Sequence, residues 1–463
     1  MGFLARRIAM LTPIRRELSI LIRLAVPIAL TQIALMAMGV VDTLMLGHVD
    51  KEALSSAALA NTWIVGCQLI FQGFLFGLDP VVSQAHGARD RRKLSLTLQR
   101  GVILALLAAL CSAPLLLFTA DVLNFTGQDA SLLNSCQGYA DARIPGLLPF
   151  FLFVVLRGWL QGRLILRPIL FTALIGNVVN AIANYALIFG HLGMPELGVR
   201  GAGIATSCTQ WAVLAALLLV IWRKRLARGG WSGWSREVFE WRAYLPLMAL
   251  GFPIAAQLGL EIWAFQVSTL AAGKLSVTSL AAHSIVLNLV SLTFMVPLGI
   301  ALATGTRVGN LIGAGRHLDA QRSAWTAIGM GALTMTFFAA LFVFGRWQLP
   351  SLYGAEASVA ALAATILPIA AAFQVFDGTQ CIAGLILRGM AHPKPVAWFN
   401  LIGYYALGLP LAWYLAFHLE HGLTGIWWGL AVGLLFVSIG ICTYLYFRGP
   451  ALAAKASAEM LNQ

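Results

Sequence analysis

Residues 251–265 read GFPIAAQLGLEIWAF and place a carboxylate, Glu261, inside a segment that stays predominantly apolar from Tyr244 to Ala272. Arg242 precedes the segment and Lys274 follows it, so the stretch between them is long enough to cross a bilayer as a helix. An ionisable side chain at membrane depth costs roughly 3 kcal/mol or more and faces a cavity or a partner rather than lipid. Pro253, eight residues upstream, removes a backbone hydrogen bond and predicts a kink near the helix start. Glu261 is therefore a working carboxylate by expectation.

The rest of the chain has the same character. Of its 463 residues, 59% are hydrophobic and 11% charged, where soluble domains carry roughly 25% charged residues. Apolar blocks of helix-spanning length recur, each flanked by Arg, Lys, Gly or Pro, which defines an all-α polytopic membrane protein. The short alternating segments of an outer-membrane barrel are absent. Twelve spans are predicted, at 24–46, 56–80, 99–120, 135–156, 168–190, 201–222, 244–272, 280–306, 323–345, 357–385, 396–417 and 424–447.

The net charge of +13 does not call for nucleic acid. Of 31 Lys and Arg, 26 fall at the termini and in alternate loops, and only Lys51, Arg143, Arg200, Lys274 and Arg346 fall on the opposite side. That bias predicts both termini in the cytoplasm. The basic start before an apolar run resembles a signal peptide, but the run from Leu24 to Leu46 is too long for one and has no small-residue cleavage site. The six cysteines stand singly in apolar segments, so neither a disulfide framework nor a zinc site is indicated.

The spans form two related halves. Placing Pro27 on Pro253, an offset of 226, lays VPIALTQ on FPIAAQL; Gly47 then meets Gly273, and Gly87-Ala88 meets Gly313-Ala314. Gly162, Pro168 and Gly176 meet Gly389, Pro395 and Gly403 at 227, and Gly198 and Gly201 meet Gly422 and Gly425 at 224. Six spans per half keep both repeats in the same orientation, the parallel-repeat plan of secondary transporters. The expected organisation is an N-terminal lobe over 1–222, a basic cytoplasmic linker over 223–243, and a C-terminal lobe over 244–463 ending in a short cytoplasmic tail. Glu261 has Leu35 at its repeat position, so the halves carry different chemistry.

Other polar residues lie within the spans. Asp42 follows Arg23 by 19 residues, about 28 Å along a helix, in the outer part of span 1. Asn177, Asn180 and Asn184 form one stripe on span 5, which either lines a polar cavity beside Asp42 or binds neighbouring helices together. Asp377 lies 11 residues before Arg388, about 16 Å from the inner end of span 10. Were Glu261 and Asp377 to share a cavity, a cation or proton would relieve their repulsion, and two carboxylates with carbonyls suit a hard cation. Asp79 reads as an interfacial residue, Glu356 as a weak candidate at a cavity mouth, and the histidines as structural.

These residues resemble the multidrug and toxic compound extrusion family, the MATE transporters. VPIALTQIALMAMGVVDTLMLGHV at 26–49 is similar to the family's first span with its Asp, here Asp42. DPVVSQAHGA at 79–88 and TRVGNLIGAG at 306–315 resemble the paired motifs that end spans 2 and 8. NAIANYALIFGHLGMPELGVRGAGIATS at 180–207 resembles the span 5–6 region, with Asn180 and Asn184. GFPIAAQLGLE and FDGTQCIAGLILRG resemble spans 7 and 10, with Glu261 and Asp377. A span 7 Glu together with Asn184 is similar to the NorM branch.

The resemblance implies a V-shaped pair of six-helix lobes and an antiporter that exports cationic amphipathic drugs or dyes by alternating access. It implies Glu261 and Asp377 as ligands of a coupling cation, with Asp42, Asn180 and Asn184 contacting proton or substrate. No cofactor is expected beyond coupling Na+ or H+, and the chain is expected to be a monomer in the lipid bilayer. Phe373, four residues before Asp377, stands where some NorM-type members have Tyr, which leaves both ions open. The alternative is a flippase for lipid-linked saccharides, which would want a basic cavity for phosphate. An enzyme would want a nucleophile–base or metal cluster, and a channel a ring-lined pore; the sequence offers neither.

Overall fold

A computed structural model describes residues 2–452, with side chains from Ile14 onward; the expected tail lies outside the described residues from 453. Among the described residues, twelve helices are long and apolar enough to cross a membrane. Spans 1 to 6 are Ile14–Gly47, Lys51–Gly87, Arg91–Leu117, Ala130–Gly162, Arg167–Phe189 and Gly198–Arg223. Spans 7 to 12 are Trp241–Leu275, Val277–Gly313, His317–Phe344, Ala357–Gly389, Lys394–His418 and Gly422–Leu452. All twelve coincide with the hydropathic segments expected from sequence.

Several helices start well outside their apolar segments, because capping and not hydropathy ends a helix. Asp50 caps span 2 by accepting from the Ala53 amide at 2.5 Å, and Asp90 caps span 3 by accepting from the Lys93 amide at 2.9 Å. Ser276, 226 residues after Asp50, caps span 8 through the Ser279 amide at 3.0 Å. The kink expected at Pro253 does not interrupt the helix, which is continuous from Leu245 to Leu275. Span 11 departs most from regular geometry, with wider π-helical turns over Leu401–Gly408 and Tyr414–His418 on either side of Pro410.

The chain divides into two compact units. One holds residues 30–255; the other holds the described residues up to Ala29 together with those from Ala256. The chain crosses from one unit to the other within span 1 and again within span 7, each time just past a repeat-equivalent proline, Pro27 or Pro253. In the first unit, span 7 begins against span 2: a side chain on Gly77 would fall within 2.7 Å of the Gly251 nitrogen. In the second unit, the start of span 1 is fastened to span 8 by a half-buried ion pair, Arg307 Nε to Glu17 Oε1 at 2.9 Å.

Small residues let the backbones approach, as helix association in lipid requires. In the first unit Gly176 packs on Val213, and in the second Gly403 packs on Val437. Those pairs occupy the same repeat positions, at offsets of 227 and 224.

The segment after span 6 is no free tether. Ser232 donates its amide to Ser95 Oγ at 3.0 Å, Ser235 donates to Gln99 Oε1 at 3.1 Å, and Arg163 Nη1 donates to the Leu226 carbonyl at 2.7 Å. It is strapped across the ends of spans 3 and 4 within the first unit.

Candidate functional site

The first unit contains a polar cluster around Asp42. Asn180 Nδ2 donates to Asp42 Oδ1 at 3.0 Å, Asn184 Nδ2 donates to the same oxygen at 2.5 Å, and Thr206 Oγ1 reaches Oδ2 at 3.5 Å. Both asparagines are fully buried, whereas Asp42 is half-buried and reaches open space. A carboxylate is an acceptor only, so two amides and a hydroxyl suit its ionised form and leave lone pairs for an incoming donor.

The span 5 stripe splits between its two expected roles. Asn180 and Asn184 meet Asp42, while Asn177 donates to the Ala34 carbonyl at 2.8 Å and to its own helix at Ala173 at 2.9 Å. Asn177 therefore staples span 5 to span 1. Sequence does not single out Thr206, the penultimate residue of the quoted 180–207 motif; only the packing of span 6 brings it to Asp42.

The second unit gathers Glu261 and Asp377. Asp377 is buried and accepts from Gln380 Nε2 at 3.4 Å. Gln380 also lies near Glu261, on which the charge of Asp377 acts, so the two carboxylates share one neighbourhood. Glu261 is half-buried. Tyr405 Oη donates to the Leu260 carbonyl at 3.1 Å and fixes span 11 beside it. Gln380, three residues after Asp377, sits on the same helix face, a spacing that marks it as a partner.

Phe373 is fully buried and packs edge-on to Trp427, centroids 5.6 Å apart, and to Phe265 at 6.0 Å. The hydroxyl in this neighbourhood comes from Tyr404 of span 11, which is fully buried, has no protein hydrogen-bond partner, and lies within the field of both carboxylates. Among the described residues no three His, Cys, Asp or Glu side chains gather as a metal cage. The chemistry here is two carboxylates, one amide and one phenol.

Neither cluster recurs at its repeat positions. Asp42 corresponds to Ser268 at 226, and Asn180 and Asn184 to Leu407 and Leu411 at 227. Glu261 corresponds to Leu35. The remaining candidates stay outside both clusters: Glu356 is exposed at the start of span 10, and His283 is buried with Nε2 3.2 Å from Thr269 Oγ1. Asp79 lies beside Gly158 of span 4 in the first unit.

A duplicated twelve-helix membrane protein with a distinct acidic cluster in each repeat has the plan of a secondary transporter. The MatE family profile matches residues 27–186 and 253–414, one match per repeat, and the chain belongs to the MATE family. A relative in Bradyrhizobium diazoefficiens named probable multidrug resistance protein NorM is 36% identical over 442 residues, covering 92% of each chain. Multidrug and toxin extrusion protein 2 of Mus musculus is 30% identical, over 96% of this chain and 76% of its own length. The crystal structure of a eukaryotic MATE transporter superposes with a TM-score of 0.88 at 23% identity, covering 97% of this chain and 99% of that one. The outward-facing structure of a multidrug resistance MATE family transporter gives 0.85 at 18% identity, over 95% and 97%.

Proposed function

We propose that this chain is a cation-coupled multidrug efflux antiporter, exporting cationic amphipathic compounds from the cytoplasm of a bacterium by alternating access. The observation that carries the reading is the Glu261–Asp377 arrangement: two carboxylates in one neighbourhood, close enough for the charge of Asp377 to act on Glu261, with Gln380 donating to Asp377. Two like charges so placed repel unless a proton or a cation joins them, and a group that binds an ion in one state and releases it in another couples that ion to transport. Glu261 and Asp377 are the proposed ligands of Na+ or H+.

Asp42, with Asn180 and Asn184, is the proposed proton- or substrate-binding cluster of the first repeat. Exchange requires only that the two access states differ in affinity for drug and for ion. The bias of Lys and Arg supports cytoplasmic termini in the inner membrane.

The test is ethidium efflux from energised vesicles with Na+ and H+ gradients imposed separately. Glu261→Gln and Asp377→Asn are expected to abolish gradient-driven efflux, and the effective gradient names the ion. Full efflux in both variants would remove the second-unit cluster from the mechanism.

A further inference from the structure

Arg143 is a buried charge to which the coupling reading gives no role. Sequence counts it among the basic residues of the outer side, but the structure places it 13 residues into span 4, about 20 Å along the helix, with 9% of its surface exposed. An arginine at such depth is tolerated only where it faces a partner or a cavity.

Its surroundings are those of Asp42. One turn of span 6 serves both residues. Ser207 Oγ donates to the carbonyl of Ala142 at 2.6 Å, and Gly203 packs on Ala142 and Tyr139. The adjacent Thr206 hydroxyl reaches Asp42 at 3.5 Å. The guanidinium of Arg143 is thereby close enough for its charge to act on Asp42. Its Nη1 donates to Tyr139 Oη at 3.1 Å, and Tyr139 is itself buried. A guanidinium has five N–H donors, so this bond leaves capacity for a ligand. Asn184 Oδ1, fully buried beside Asp42, is an acceptor with no protein partner.

We propose that Asp42 and Arg143 form a dipolar recognition site for zwitterionic amphiphiles. Asp42 and Asn184 Oδ1 face the cationic group, and Arg143, held by Tyr139, takes the carboxylate. Arg143 is the specificity-determining residue. A monocation bound at Asp42 would leave Arg143 uncompensated, whereas a zwitterion satisfies both. The inference rests on the proposal that the Asp42 cluster contacts substrate.

The experiment measures binding of two dyes with one ring system to the detergent-solubilised full chain. They are rhodamine B, which carries a free carboxylate, and its ethyl ester, which is a monocation. The wild-type chain is expected to bind the acid more tightly. Arg143→Gln is expected to weaken the acid by about tenfold or more while leaving the ester unchanged or tighter, and Arg143→Lys to restore most of the loss. Tyr139→Phe, which keeps the ring and frees the guanidinium, gives a smaller loss in the same direction should Arg143→Gln fail to fold. Equal loss of both dyes, no loss of either, or wild-type preference for the ester overturns the proposal. Asp42→Asn separates the two readings. Unchanged binding of both dyes removes the substrate role of Asp42 itself, whereas loss in Asp42→Asn without selective loss in Arg143→Gln removes only the dipolar site.

Discussion

Gly73 of span 2 lies so close to Ala255 of span 7 that a methyl group on Gly73 would come within 2.7 Å of the Ala255 Cβ. Gly299 meets Ala29 in the same way, at 2.5 Å, and both residues of the second pair stand 226 positions from those of the first. Each pair lies within one compact unit, so the half-span that each repeat gives up is received by the other through an identical contact.

Filling either contact should therefore destabilise the fold. Gly73→Leu and Gly299→Leu are each expected to cost about 1–3 kcal/mol through overpacking against backbone. Gly39→Leu, at a position with nothing within 4 Å, is expected to change stability little. Thermal unfolding of the purified chain in detergent, followed by size exclusion, checks this; equal behaviour of all three variants would contradict it.

The two roles found in the span 5 stripe separate by mutation. Asn184→Leu removes an amide from the Asp42 carboxylate and is expected to weaken dye binding by about tenfold or more, since hydrogen bonds to a charged group contribute about 1.5–3 kcal/mol. Asn177→Leu is expected to cost about 1 kcal/mol of stability with dye affinity essentially retained. Binding isotherms and melting curves on the same preparations test both halves of the statement.

Tyr404 offers a contrast between stability and transport. Tyr404→Phe deletes a buried hydroxyl that has no protein partner, so the fold is expected to be as stable or more stable. Gradient-driven efflux is expected to fall, because that hydroxyl is the one provided beside Glu261 and Asp377. Phe373→Leu instead loosens the contacts with Trp427 and Phe265, lowering the melting temperature first. Unaltered transport in Tyr404→Phe would leave the phenol a packing group.

The strap after span 6 gives a fourth test. Gln99 holds both Gly233 and Ser235, and Gln99→Leu is expected to cost about 1–3 kcal/mol and to open residues 226–238 to protease. Glu237→Gln, which breaks only the exposed pair with Arg92, is expected to leave digestion unchanged. The cleavage pattern over time distinguishes them.

Much of this protein was legible in the chain itself. Hydropathy is a local property, so the twelve spans could be counted without any contact, and a repeat is an intrachain register, visible in Pro27 and Pro253 or Gly176 and Gly403. The carboxylates at 42, 261 and 377 stood out because charge inside an apolar run is costly wherever the helix packs. Span ends were less legible, since caps such as Asp50 and Ser276 act beyond the apolar segment.

Sequence by itself determined the class of protein, the duplicated plan and which acidic residues lie at depth. Tertiary structure alone decided their company. Helical spacing assigns Asn177, Asn180 and Asn184 to one face but not to a partner, and only packing sends the first to Ala34 and the others to Asp42. Gln380 could be placed on the face of Asp377, yet the nearness of Glu261 to both depends on how span 7 lies against span 10. Arg143 shows the difference most clearly: counting charges by side of the membrane says nothing of depth, and its burial follows from the approach of span 6 to span 4 at Gly203 and Ser207. Such neighbours are set by contacts between residues far apart in the chain, and no local pattern encodes them.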